Sequence, residues 1–271
     1  MKDDQDNLIL TEKISLEMSD QYLGLIIFNR PKEMNPLNWA TVEALRAVLE
    51  RFSNSKDIRV IAFTGAGKAF SAGGDLKAYQ KLYRDEEAFR GFLQAFRSLN
   101  DAIASAKQPV IALVNGHCVA GGLELMLACD FAYAGQSAKI GDGHANFGQM
   151  GGAGSNVRLP RSILPPKARE LLFTGKLLTA DEACEWGLVN KVVPDDQLMD
   201  AGLEFANMVA PKSPLGISII KEVCNKGLDM RLEDALQLEI EKVVHYCTHN
   251  HDSYEGLLAF SEKRKPKFEG R

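Results

Sequence analysis

Two glycine pairs and one glutamate are the residues best suited to chemistry in this chain. Gly73 and Gly74 stand in Phe70-Ser71-Ala72-Gly73-Gly74-Asp75-Leu76, shortly after the apolar run Val60-Ile61-Ala62-Phe63. Gly121 and Gly122 stand in Gly116-His117-Cys118-Val119-Ala120-Gly121-Gly122-Leu123-Glu124-Leu125, after Pro109-Val110-Ile111-Ala112-Leu113-Val114. A glycine pair behind a strand lets backbone approach a ligand closely, because no side chain stands between them. The first pair alone reads equally as a tight turn. At the second a helix begins, and the N–H groups of a first helical turn are unsatisfied and lie at the positive end of the helix dipole. That place favours negative charge developing on a ligand oxygen. Glu124 falls one turn into the helix, where a carboxylate can face the same spot. Two such glycine sites and an acid make an oxyanion hole with an acid/base beside it.

Alternating strands and helices must position these residues. Leu23–Phe28 reads as a strand ended by Asn29-Arg30-Pro31. From Trp39 to Phe52 the apolar residues Val42, Leu45, Val48 and Leu49 fall at helical spacing. Val60–Phe63 and Pro109–Val114 read as strands, Leu76 to Ala106 as mostly helix, and Asp130–Tyr133 as a short strand. Strand, helix, strand in succession argues for βαβ units and a mostly parallel sheet. After Pro194 the strand signal ends, and Leu203–Val209, Pro214–Cys224, Leu232–Val244 and Tyr254–Phe260 read as helices. The division is an α/β core over 1–195 and a helical region over 196–271.

The 271 residues suffice for one large domain, and 45% hydrophobic with 25% charged residues is an ordinary globular composition. A net charge of −4 gives no electrostatic reason to expect nucleic acid. No apolar run approaches the roughly 20 residues that span a bilayer. The polar start, Met1 to Asp6, resembles neither a secretory signal nor a transit peptide. Five scattered cysteines without a CxxC fit reduced thiols, so the cytoplasm is the expected compartment. His245, His249 and His251 crowd one helix end, but no Cys or carboxylate joins them at ligand spacing, and no metal is expected.

Phe70–Asp75 and Gly116–Leu125 are similar to the two oxyanion-hole motifs of the enoyl-CoA hydratase/isomerase (crotonase) superfamily. The resemblance takes in Asn29-Arg30-Pro31 with Met34-Asn35-Pro36-Leu37, then Leu171–Lys176, Ala180–Ala183 and Gly187-Leu188-Val189. It closes on Phe260-Ser261-Glu262-Lys263-Arg264-Lys265-Pro266. It implies a right-handed spiral of ββα turns with a helical C-terminal region that builds a homotrimer, often a homohexamer. It implies that Gly74 and Gly121 supply the N–H groups that bind the oxygen of an acyl-CoA thioester, with Glu124 as the acid/base. Gly73, Asp75 and Gly122 in those motifs, and Met34 and Pro36 in the segment near the start, are expected to contact the substrate. Ala72 is expected against the adenine or pantetheine arm and Leu76 near the acyl pocket. Phe260 and Lys263 are expected to approach coenzyme A, often from a neighbouring subunit; a solvated tail is the other reading of that basic run. Coenzyme A is part of the substrate, and no separate cofactor is implied.

Hydratases of this family use two glutamates, and here the pattern departs. Aligning Phe147–Gly154 with the family's glycine-rich stretch places His144 at the second. An unperturbed imidazole pKa of about 6.5 suits proton transfer near neutrality, so His144 can act as acid or base. It can equally mark a different reaction, and Asp142, two residues away, can orient or replace it. His117 reads as packing. The expected activity is hydration of an α,β-unsaturated acyl-CoA. The alternatives are hydrolysis, decarboxylation or carbon–carbon cleavage using His144, and non-catalytic acyl-CoA binding. Tyr79, Tyr83, Phe89 and Phe92 suit a bulky or aromatic acyl group, or the core.

Overall fold

The computed structural model describes residues 8–18 and 20–271. Strand β1 (Ile9–Ser15) pairs antiparallel with β2 (Tyr22–Phe28), and α1 (Trp39–Ser53) then carries the chain to β3 (Ile58–Gly65), parallel to β2. Asn38 starts α1 by accepting the Thr41 N–H at 3.0 Å, and Val42, Leu45, Leu49 and Phe52 form its buried stripe. After β3 the chain adds β4 (Ala69–Ser71), α2 (Leu76–Leu82) and α3 (Glu86–Ser105), then returns as β5 (Val110–Val114) beside β3. Next come β6 (His117–Val119) beside β4 and α4 (Gly121–Met126). Strand β7 (Phe131–Gly135) pairs with β5 and β8 (Lys139–Gly141) with β6, followed by α5 (Ser155–Ser162) and α6 (Pro165–Thr174). Strand β9 (Leu178–Thr179), α7 (Ala180–Glu185) and β10 (Lys191–Val193) close the sheets.

Each turn of the chain thus lays a longer strand in one sheet, a short strand in the other, and a helix outside. The sheets run β1-β2-β3-β5-β7-β10 and β4-β6-β8-β9. Strands β3 and β5 are continuous apolar runs because both faces are covered. Ile61, Phe63, Val110 and Ala112 face α1, α3 and the short sheet, while Val60, Ala62, Ile111 and Leu113 face α8 (Leu198–Val209). The first helix after Asp195 therefore packs on the sheet itself. Helices α9 (Pro214–Gly227), α10 (Leu232–His249) and α11 (His251–Ser261) follow. Lys221 of α9 bridges to the core, its ammonium donating to Asp130 Oδ2 at 2.8 Å and to the carbonyls of Ile103 and Gln108.

The helix read over 76–106 is interrupted at Tyr83–Asp85, where Asp85 caps α3 through the Ala88 N–H at 3.0 Å. The helices after Pro194 are longer than their apolar stripes. Four three-residue strands, β4, β6, β8 and β10, and all of α5 to α7 lay outside the sequence reading.

Candidate active site

Strand β4 delivers the chain to Gly73 and β6 delivers it to Gly121, and neighbouring strands bring the two loops together. At φ +100° Gly73 occupies a conformation open to glycine, and a β-carbon there would lie 2.7 Å from Ala120 Cβ and 3.0 Å from the Val119 carbonyl oxygen. Leu37 brackets Gly74: its N–H donates to the Gly73 carbonyl at 2.8 Å and its carbonyl accepts the Asp75 N–H at 3.0 Å. The Gly74 N–H consequently points away from Leu37. Gly121 opens α4, so its N–H has no helical acceptor. Ala120 turns the chain into that helix at φ 51°, ψ −117°, outside the comfortable regions for an L-residue. Gly122 lets α4 settle on β4, since a β-carbon there would meet the Ser71 carbonyl at 2.4 Å.

Glu124 lies one turn into α4, only 3% exposed. Its Oε1 accepts the Ala153 N–H at 2.7 Å and the Ser155 N–H at 3.1 Å. Ser155 opens α5, so Glu124 faces the positive end of that helix. Burial pushes the Glu124 carboxyl above the usual range, while those N–H groups and His144 hold it back. The carboxylate, less well solvated than a free one, is a stronger base.

His144 is half-buried and bound twice to Asp142, its Nδ1 3.0 Å from Oδ2 and its backbone N–H donating to Oδ1 at 3.2 Å. Gly143 at φ +68° makes the turn that folds the histidine back onto the aspartate. Burial opposes the charged imidazole, but the hydrogen bond and charge of Asp142, with the charge of Glu124, more than offset it and raise its pKa. Asp142, 2% exposed, shows the converse: burial disfavours its charge, yet His144 holds its pKa below the ordinary value. The buried Ser155 hydroxyl lies near enough to Asp142 to favour that charge without closing a hydrogen bond of ordinary length. With Nδ1 engaged, Nε2 is the free ring nitrogen.

Gly73, Gly74, Gly121, Gly122, Glu124 and His144 thus converge. Met34 and Pro36 join them, because the Met34 carbonyl accepts the Ala72 N–H at 2.9 Å and lays their segment beside the first loop. Ala72 and Leu76 are exposed at its rim. Asp75 is differently employed: its carboxylate caps α2 at the Ala78 N–H, 3.2 Å, and pairs with Arg30 at 3.1 Å. It shapes the loop and is not offered to a ligand. Phe260 is 86% exposed, and no hydrogen bond or ion pair ties it or the Lys263 side chain to the cleft among the described residues. The N–H partners of Glu124 escaped sequence reading; the glycine-rich run Gly151–Gly154 was their signal. Phe92 is fully buried and packs on Phe96 and Trp39, which assigns it to the core.

The model of the family described as enoyl-CoA hydratase/isomerase matches residues 19–271. A crotonyl-CoA hydratase of Syntrophomonas wolfei is 35% identical, covering 95% of this chain and 98% of that one. The mitochondrial enoyl-CoA hydratase of Pongo abelii is 35% identical over 91% of this chain and 83% of its own. A solved enoyl-CoA hydratase from Bacillus anthracis superposes with a TM-score of 0.88 at 37% identity, covering 96% of this chain and all of that one. With the crossed loops and the buried glutamate in the same chain order as the family's motifs, the protein belongs to the enoyl-CoA hydratase/isomerase family.

Proposed function

We propose that the protein hydrates an α,β-unsaturated acyl-CoA. The observation that carries this reading is the meeting, beside the unengaged N–H groups of Gly74 and Gly121, of the buried Glu124 carboxyl and the Asp142-bound imidazole of His144. The two N–H groups receive the thioester oxygen and stabilise the enolate that forms on it, each worth about 3–4 kcal/mol of barrier. Glu124 takes a proton from water as the water oxygen bonds to the third carbon of the acyl group. The electron pair of the double bond moves toward the carbonyl, and the charged His144 returns a proton to the second carbon. Together the two groups exchange one proton for another, and the product is a 3-hydroxyacyl-CoA. Ala72 lies against the adenine or pantetheine arm, and Leu76 near the acyl pocket. Phe260 and Lys263 meet coenzyme A from a second copy, in a trimer or a dimer of trimers. The dispersed thiols suit a reducing cytoplasm.

The Asp142–His144 pair also favours a second reading, in which the imidazole activates water against a carbonyl and cleaves a thioester or carbon–carbon bond. Mass spectrometry of products from a panel of enoyl-CoA thioesters separates the two. Gain of the mass of water supports hydration, whereas release of free coenzyme A or a shortened acyl group overturns it.

A further inference from the structure

Tyr79 follows Asp75 by one helical turn, and a helical side chain leans back toward the N-terminus of its helix. The Tyr79 N–H donates to the Asp75 carbonyl at 2.9 Å, and the ring folds over the loop beneath. A β-carbon placed on Gly74 would lie 2.4 Å from Cε2 and 2.5 Å from both Cζ and the phenol oxygen. The hydroxyl edge of the ring therefore rests against the α-carbon of Gly74. Elsewhere the ring is held by Phe92, edge-on at 5.4 Å, and by Tyr83 at 5.9 Å. The Tyr83 hydroxyl is itself fastened to Gln149 Oε1 at 2.9 Å, so the wall behind Tyr79 is tied down.

The phenol oxygen is not fully enclosed and makes no hydrogen bond with any described residue. A tyrosine packed this closely ordinarily satisfies its hydroxyl. Burial first, then the charge of Glu124, pushes the phenol pKa well up, so the group stays protonated and is available as a donor. A thioester oxygen has two lone pairs, and Gly74 and Gly121 match both. The remaining donor, within the field of Glu124, is left for an oxygen at the carbon that water attacks.

We propose that Tyr79 is a further catalytic residue, donating a hydrogen bond to the oxygen at the third carbon of the acyl group. That oxygen belongs to the attacking water in one direction and to the hydroxyl of the 3-hydroxyacyl-CoA in the other. The charges of Glu124 and Asp75 already act on the phenol, so the acceptor is a neutral oxygen and not a carboxylate. This assignment rests on the hydration reading for its catalytic part and on geometry alone for its recognition of oxygen.

The test compares butyryl-CoA with 3-hydroxybutyryl-CoA, which differ by one hydroxyl, in calorimetric titrations. A Glu124→Gln background prevents turnover, and Tyr79→Phe is added to it. With Tyr79 present the hydroxy ligand should bind roughly 3- to 10-fold tighter, the range of one hydrogen bond, and the preference should vanish in Tyr79→Phe. A ratio of dissociation constants does not depend on the folded fraction of either variant. An unchanged ratio overturns the proposal, and an equal loss for both ligands overturns it too, by moving the phenol to the thioester oxygen. A Tyr79-dependent preference in a protein that hydrates no enoyl-CoA would instead sink the hydration reading and leave the recognition intact.

Discussion

The Asp142 carboxylate, buried and 3.0 Å from His144 Nδ1, favours the charged imidazole. If that imidazolium is the acid of the reaction, activity falls on the alkaline side as the proton leaves. Asp142→Asn removes the charge that raises the His144 pKa, so the alkaline limb of the kcat/KM profile should move to lower pH by roughly 1–3 units. An unmoved limb would sever His144 from the rate. Stability follows the same linkage. The His144 contribution is fully present below its unfolded value of about 6.5 and is lost as pH rises through the elevated folded value. The Asp142 contribution is present above about 3.9 and is lost as pH falls through its depressed folded value. Glu124→Gln keeps the shape and removes the base, and kcat should drop about 10²- to 10⁴-fold in a steady-state assay. The glycine pairs and Glu124 were legible because each stands in a local motif. The partners of Glu124 were not, since Ala153 and Ser155 reach it only through packing. The capping role of Asp75 was not legible, because only its contacts with Arg30 and Ala78 reveal it.

Among the elements, the turn into α4 stores strain. Ala120 at φ 51° costs of the order of 1–3 kcal/mol as a non-glycine, and it fixes the direction of the Gly121 N–H. Ala120→Gly should relieve the strain and raise the unfolding free energy by about 1 kcal/mol, since glycine's own entropic cost offsets part of the gain. The same change frees the donor's aim, so kcat should fall while the melting temperature rises; a gain in both would separate strain from function. The long strands and amphipathic helices were legible because burial writes a period or a continuous apolar run into them. Strands β4, β6 and β8, three residues each, carry no period, and the pairing of one ββα turn on the next makes them. The short sheet that aims both glycine loops is thus a tertiary product.

For the whole molecule, Lys221 is the clamp between the sheet core and the last three helices. Its side chain is 9% exposed, and burial pushes the Asp130 carboxyl up while Lys221 restrains it. Lys221→Met removes the cation beside that carboxylate, which keeps only the Val110 N–H, and should cost up to about 3–5 kcal/mol in denaturant unfolding. Helices α9 to α11 and the turn after α9 expose Leu228, Leu232, Ile240, Leu257 and Phe260, more apolar surface than a lone chain usually leaves bare. In the proposed assembly these faces are covered, and light scattering should return three or six times 29.8 kDa, with Leu232→Glu releasing monomer. The spiral was legible only through family resemblance, because a topology of two sheets has no local signature. The aromatic wall has one more consequence. Of the chain's two tryptophans, Trp39 stands 6.2 Å from Phe92, which touches Tyr79, whereas Trp186 is flanked at the surface by the ammonium groups of Lys167 and Lys176, each 4.8 Å from its ring. Replacing Trp186 by phenylalanine would leave a single tryptophan two rings from the Gly74 loop, an optical gauge of ligand arrival that needs no added label.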